Sequence, residues 1–405
     1  MGNNHGICAE ISVDGFRFAS VSAEVKKIGL VRLDLGMILS DRPSVVAGVT
    51  TQNLVHAAPV TLTRQVLSGG LCQAVLVNSG NANAYTGQEG LDDARILVKS
   101  LSERLSIDPG LVIPMSTGVI GARLPVDRMK ARIPALTDSL SNLGFHDLAN
   151  AIMTTDTVPK TFSIDAELSN GPFRIAGMCK GAGMIAPHMA TMLAIMVTDI
   201  RVEHTFLNEA FRECCDLSFN RVTIDGDTST NDTAIIMSGG SKLSRELSTS
   251  RADREKFFAA MQEACSNLAE QIVRDGEGAT KIVEVSVISA TDDRSAGVMA
   301  RKIAESPLVK TAFHGEDPNW GRIICAAGNS GIKFDPSVVD LSIGEVKIVD
   351  NGKLSEGDWE TRAHQVMRQE RFSVVVDLKM GNGQATMLTS DFSEEYVTIN
   401  ADYRS

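Results

Sequence analysis

The sequence predicts a mixed α/β fold, and three observations carry that expectation. Strand-like and helical runs follow one another along the whole chain. No internal repeat, low-complexity tract or long Pro/Gly/Ser linker interrupts them. Hydrophobic residues make up 43% of the 405 positions and charged residues 22%, enough apolar material to bury one large domain or two smaller ones.

Taken in order, strand-like runs are expected over 29–35, 73–78, 112–115, 192–197 and 281–289. In the last, Val283, Val285, Val287 and Ile288 nearly alternate with polar residues, which suits a strand with one wet face. Helices are expected over 91–105, 203–217 and 254–274. The third carries a 3.6-residue stripe of Phe257, Met261, Ala264, Leu268 and Ile272. Two hairpins close the chain. One follows 345–348 and turns at Asn351-Gly352, a strong type I′ signal. The other runs from 373–378 through Gly381-Asn382-Gly383 into 384–389. The irregular stretch 169–188 is a candidate boundary.

Composition excludes several classes. A net charge of −11 argues against non-specific nucleic-acid binding and against docking on an anionic membrane. The longest uncharged apolar stretch, 183–197, is too short to span a bilayer and contains Pro187 and His188. The start of the chain lacks a basic segment followed by an apolar run, and Gly6 stands where a myristoylation site needs Ser or Thr. Seven cysteines without a CxxC pair speak against a disulfide framework or zinc knuckle and fit a reducing cytoplasm. No HExxH or other close histidine pair points to a metal, and no P-loop points to nucleotide hydrolysis.

Six loops are dense in Gly, Asn, Asp and Thr: 78–84, 116–121, 154–160, 225–228, 274–281 and 315–322. Each alone reads as a turn, but six exceed what hairpin closure requires. Thr117-Gly118, at the end of a strand, can aim backbone N–H groups and a hydroxyl at one point, as an oxyanion hole does. Glu277, between two glycines, is either a solvated loop carboxylate or a fixed contact for an ammonium group.

The most informative stretch is 180–193. Lys180-Gly181-Ala182-Gly183-Met184-Ile185-Ala186 matches the G-x-G-x-x-G/A dinucleotide pattern after a strand-like run, 173–178. That pattern needs a helix next, and Pro187 with so few residues before Met192 leaves no room for one. A nicotinamide site is therefore rejected. Thr191 precedes an apolar run, and a threonine hydroxyl there needs a base. Cutting the chain before Thr191 would supply one, because its new α-amine has a pKa of roughly 7.7–8.0.

Together these segments resemble the ornithine acetyltransferase family, also called glutamate N-acetyltransferase. The similarity is nearly end to end. It includes Leu39-Ser40-Asp41-Arg42-Pro43, Ala47-Gly48-Val49, five of the six loops (78–84, 116–121, 154–160, 274–281 and 317–322), the stretch 180–193, and Asn400-Ala401-Asp402-Tyr403-Arg404-Ser405. The resemblance implies self-cleavage between Ala190 and Thr191 into an α chain (1–190) and a β chain (191–405). These would interlock in a fold of the N-terminal-nucleophile kind and assemble as a heterotetramer of two α and two β chains. Thr191 would take an acetyl group from N-acetylornithine and pass it to glutamate. Thr117 and Gly118 match the oxyanion-stabilising pair. Thr154, Lys180, Thr191, Glu277, Asn400 and Ser405 match the substrate contacts.

No cofactor is implied, and acetyl-CoA stays open as a second donor. The chain departs from the family at His188, commonly Asn or Asp, and at Ser405, commonly Thr. Charge assigns Lys180 to the substrates' α-carboxylate and Glu277 to ornithine's side-chain ammonium, an assignment open to exchange. The rival reading is an N-terminal-nucleophile aminopeptidase or amidase, which would share Thr191 but deliver the acyl group to water.

Overall fold

The computed structural model describes residues 10–186 and 192–402. Ala190, Thr191, His188 and Ser405, and with them the expected cut, lie outside the described residues. Among the described residues the strands are β1 (Phe16–Val21), β2 (Leu35–Thr50), β3 (Leu71–Asn81), β4 (Val112–Val119), β5 (Lys160–Leu168), β6 (Gly171–Lys180), β7 (Leu193–Thr198), β8 (Val222–Thr223), β9 (Thr233–Ser238), β10 (Ile282–Ala290), β11 (Asp340–Ile343), β12 (Val346–Asp350), β13 (Lys353–Leu354), β14 (Arg371–Asp377) and β15 (Gly383–Ser390). With the helices between them, they make the mixed α/β class that the sequence predicts.

The chain divides into two compact units. Among the described residues the first comprises 10–181, 192–219 and 228–268; the second comprises 182–186, 220–227 and 269–402. The stretch 169–188 does contain a boundary, at Gly181/Ala182. The units do not coincide with the expected α and β chains.

The first unit is built on an eight-stranded sheet ordered β4-β3-β2-β9-β7-β6-β5, with β1 paired to β2. Both faces of this sheet are covered. On β3, Val75 and Val77 join one apolar cluster, while Ala74 and Leu76 join another with Leu97, Leu101 and Ile133. Burial on both faces explains why its inner strands read as continuous apolar runs rather than alternating ones.

The second unit is built on a seven-stranded sheet ordered β13-β12-β11-β14-β10-β15-β8. On β10, Val283, Val285 and Val287 are buried against Met299, Ile303 and Phe313, while Glu284 and Ser286 are half-buried. This is the expected strand with one wetter face.

The helices at 91–105, 203–217 and 254–274 appear as Gly87–Leu105, His204–Leu217 and Arg251–Arg274. Glu203 is the cap of the second, accepting bonds from Thr205 and Phe206 N–H at 2.7 and 2.9 Å. The Asn351-Gly352 turn also appears, with φ of 48° and 71° between paired β12 and β13.

Three expectations are corrected. Residues 29–34 are not a strand. The buried Asp34 carboxylate accepts Ala23 N–H at 2.6 Å and Val25 N–H at 2.7 Å and ties the segment into a loop; β2 begins at Leu35. Residues 116–118 do not follow β4 but belong to it, where Asn81 opposes both Thr117 and Val119 in a bulge. The last hairpin does not form. β10 lies between β14 and β15, parallel to the first and antiparallel to the second. A non-local strand took the place of the local partner, which turn residues alone cannot reveal.

Candidate active site

In the first unit, β4 and β3 run parallel with Thr117 opposite Ser79 and Gly118 opposite Gly80. Gly118 has φ 132°, and a Cβ there would lie 2.5 Å from the Asn81 nitrogen, so only glycine fits. An amide network fixes this edge. Asn231 Nδ2 donates to Ala82 O at 2.6 Å and Ser116 O at 2.8 Å. Asn78 Nδ2 donates to Asn81 O at 2.9 Å, and Ser116 Oγ donates to Asn78 Oδ1 at 2.7 Å. Rigid donors of this kind are what a developing oxyanion requires.

Lys180 ends β6, opposite Leu193 of β7. It is 3% exposed, and its Nζ donates to Thr117 Oγ1 at 3.3 Å. The structure therefore brings together two residues that lie 63 positions apart.

Two buried carboxylates interact with Lys180. Asp156 Oδ1 accepts Lys160 Nζ and Gly181 N–H, each at 2.6 Å, and its Oδ2 accepts Thr154 N–H at 2.9 Å. Burial pushes the Asp156 carboxyl up, but the ammonium groups of Lys180 and Lys160 outweigh it and hold the group down at about 2. Asp232 is 1% exposed and accepts Met192 N–H, the amide after Thr191, at 3.0 Å. Burial raises its carboxyl well above the usual range, against the pull of that N–H and of Lys180. Its second oxygen has no partner among the described residues. The lysines thus favour the ionised form of Asp156 while burial drives Asp232 toward its neutral form, a balance suited to an anion.

In the second unit, Glu277 is 7% exposed. Its N–H donates to Ala182 O at 2.8 Å, and its Oε2 accepts Asn400 Nδ2 at 2.8 Å. This excludes the solvated-loop reading of Glu277. A Cβ on Gly183 would lie 2.5 Å from the Glu277 carboxyl carbon, so that glycine makes room for the carboxylate. Asp225 accepts the N–H groups of Met184 and Ile185 at 2.5 and 2.8 Å and the Tyr396 hydroxyl at 3.3 Å. Ala182–Ala186 contain no helix, as the rejected nicotinamide reading would have needed.

The helix Glu394–Ala401, which bears Asn400, is anchored at its start. Ser393 Oγ donates to Gly278 O at 2.7 Å, and the Phe392 and Tyr396 rings stack at 4.6 Å.

Of the expected residues, Thr117, Gly118, Thr154 and Lys180 are gathered in the first unit, and Glu277 and Asn400 in the second. Asp156, Asp225, Asn231 and Asp232 were not singled out by the sequence reading. The first two lie inside the quoted polar loops. The other two precede the apolar run of β9 in a polar stretch, 229–233, that is entirely buried. Among the described residues no cluster of three or more His, Cys, Asp or Glu side chains could hold a metal ion, and no helix is long and apolar enough to cross a membrane.

Comparison with known proteins gives a consistent picture. The model of the ArgJ family matches residues 17–405. A protein of Geobacter sulfurreducens called arginine biosynthesis bifunctional protein ArgJ is 48% identical over 98% of this chain and all of its own length. The protein of that name in Syntrophotalea carbinolica is 45% identical over the same shares. A crystal structure of arginine biosynthesis bifunctional protein ArgJ from Bacillus halodurans is 39% identical and covers 50% of this chain and 95% of its own, with a TM-score of 0.48.

Proposed function

The chain belongs to the ArgJ family, and on that premise we propose that it is a glutamate N-acetyltransferase working through an acetyl-threonine. After cleavage between Ala190 and Thr191, the Thr191 hydroxyl attacks the acetyl carbon of N-acetylornithine. Its proton passes to the Thr191 α-amine and then to the departing ornithine nitrogen as the C–N bond breaks. The neutral α-amine of glutamate next attacks the ester. The C–O bond breaks, and the proton returns to the threonine oxygen. Thr117 and Gly118 stabilise the oxyanion of both steps.

The observation that supports this reading best is the ensemble around Thr117. A glycine-only bulge is clamped by amide hydrogen bonds, and a buried ammonium donates to the neighbouring hydroxyl at 3.3 Å. That ammonium has three N–H groups, so its bond to Thr117 is compatible with pairing a substrate α-carboxylate. Glu277, held by the neutral donor Asn400, suits the ornithine ammonium. Thr154 and Ser405 complete the contacts. The α and β chains form a heterotetramer of two of each, working in the cytoplasm.

The test is incubation with N-acetylornithine with and without glutamate. Acetyl transfer that requires glutamate is expected. Acetate released steadily without it would move the reading to the hydrolase. "Bifunctional" in the relatives' name favours acetyl-CoA as a second donor; formation of N-acetylglutamate from acetyl-CoA and glutamate alone tests that.

A further inference from the structure

In the second unit, one buried carboxylate outside the expected residues gathers the loop that carries Glu277. Asp391 follows β15 and is buried. Its Oδ1 accepts Thr280 N–H at 2.8 Å and Lys281 N–H at 2.9 Å, and its Oδ2 accepts the Thr280 hydroxyl at 2.7 Å. His314 Nδ1 lies 2.7 Å from the same Oδ2. Burial pushes the Asp391 carboxyl up, but the bonds from Thr280, His314 and Lys281 outweigh it and hold the group below the usual carboxylate range. Asp391 is itself held at a fixed point. The wholly buried Lys310, in the helix Pro307–His314, donates to Thr389 Oγ1 at 2.8 Å, and Phe392 N–H donates to Lys310 O at 3.2 Å. Two residues after Asp391, Ser393 Oγ donates to Gly278 O at 2.7 Å. Gly278 has φ 67°, and a Cβ there would lie 2.6 Å from the Tyr396 nitrogen, so the first turn of the helix Glu394–Ala401 rests directly on the loop. The same helix carries Asn400, which donates to Glu277 Oε2 at 2.8 Å. The Glu277 loop is thus tied to this end of the chain at residues 280–281 through Asp391, at Gly278 through Ser393, and at Glu277 itself.

We propose that Asp391 is a positioning residue for the ammonium-binding end of the acetyl-transfer site: its bonds to Thr280 and Lys281 hold the Glu277 carboxylate in place beside Asn400 and so sustain the use of ornithine-bearing substrates. This rests on the reading of Glu277 as the partner of the ornithine ammonium. Asp391 acts through geometry and does not touch substrate. Glu277 stands between Gly276 and Gly278, and a glycine loses more backbone freedom on ordering than any other residue. Such a loop needs bonds that hold it. Asp391 supplies three of them from one fixed carboxylate.

The experiment is Asp391→Ala in the full-length protein, with kcat and KM measured for N-acetylornithine and for N-acetylglutamate, each as acetyl donor, beside the native enzyme. For N-acetylornithine, kcat/KM is expected to fall about tenfold, chiefly through KM, because a displaced Glu277 weakens ground state and transition state alike. For N-acetylglutamate it should stay within about twofold, since that donor lacks the side-chain ammonium. Asp391→Asn keeps Oδ1 for the two backbone N–H groups, and its Nδ2 can donate to the Thr280 hydroxyl oxygen, so it should bring N-acetylornithine back to within about threefold of native. Equal losses for the two donors would make Asp391 a structural residue and overturn the proposal. No loss for either, or an Asn variant no better than Ala, would also overturn it.

If Asp391→Ala does not fold, Thr280→Val carries the test. It removes one of the three bonds and keeps the shape of the side chain, and a loss of about threefold confined to N-acetylornithine is expected. Equal loss for both donors, or none, overturns the proposal. Glu277→Gln, assayed alongside, separates the layers. If it weakens both donors equally, the ammonium reading itself is wrong, and the proposal falls with it. If it is selective for N-acetylornithine while Asp391→Ala is not, only the role of Asp391 is wrong.

Discussion

The two units hold their candidate functional residues in contrasting electrostatic settings. In the first, two buried lysines meet two buried aspartates, one with its carboxyl held down and the other with its carboxyl raised by burial. In the second, Glu277 is buried and held by a neutral amide, Asn400, at 2.8 Å. The first arrangement suits an oxyanion or a carboxylate; the second suits an ammonium. The contrast teaches that burial alone does not assign a role. Asp156 and Asp232 are both deeply buried, yet their carboxyls shift in opposite directions because Lys160 bonds directly to only one of them. Groups whose environments drive their pKa values apart mark a site where protons and charge are managed.

Five experiments break or sharpen that contrast. The largest effect belongs to Thr191, the proposed nucleophile. The native 43.4 kDa chain should yield bands of about 20 and 23 kDa on a denaturing gel, in proportion to 190 and 215 residues. Thr191→Ala should leave one uncut band and no transfer. Cutting of that variant at the native rate would end the self-processing reading.

Next comes the oxyanion donor. Thr117→Ala should reduce kcat roughly 10²–10³-fold with little change in KM, because the bond matters mainly in the transition state. A loss confined to KM would place Thr117 in ground-state binding.

Glu277→Gln probes the negative half. Removing the charge should weaken use of N-acetylornithine by about ten- to a hundredfold, the scale of a charged hydrogen bond. Use of N-acetylglutamate in the reverse half-reaction should fall far less. Equal losses would leave Glu277 a structural residue of its loop, and an inverted pattern would exchange its assignment with that of Lys180.

The smallest effects are on stability, and they run in opposite directions. Asp156 is held down at about 2 in the folded chain, below the roughly 3.9 of an unfolded aspartate. Its contribution is present above about pH 4 and is lost as pH falls toward 2. Asp156→Asn should lack that acid limb in a plot of Tm against pH.

In the second unit, Lys310 is wholly buried, and its Nζ donates to Thr389 Oγ1 at 2.8 Å and to Ser390 O. Desolvation lowers it to about 7, while Asp391, Asp225 and Glu305 pull the other way. Between about pH 7 and roughly 10.4 the unfolded chain binds the extra proton, so stability should rise with pH across that window. Lys310→Met should flatten this rise relative to native. Parallel native and variant curves would show that Lys310 titrates normally.

The sequence alone carried the reading wherever the determinant was local. The Asn351-Gly352 turn needs two residues at positive φ, and Asn-Gly is the pair that tolerates it. The helix expected over 203–217 appears as His204–Leu217, and the β10 alternation marked its wetter face. Thr117, Gly118, Lys180, Glu277 and Asn400 entered as candidates because they stand in long segments that resemble a known family.

Tertiary structure decided what depends on non-local pairing. It placed β10 between β14 and β15, where turn residues pointed to a simple hairpin. It made residues 29–34 a loop through the Asp34 carboxylate, and it carried β4 through Thr117-Gly118. It brought Lys180 onto Thr117 and shifted the carboxyls of two chemically identical aspartates in opposite directions. No single-sequence pattern contains that last distinction, because it follows from which charges share the same low-dielectric surroundings, and only the folded chain brings those charges together.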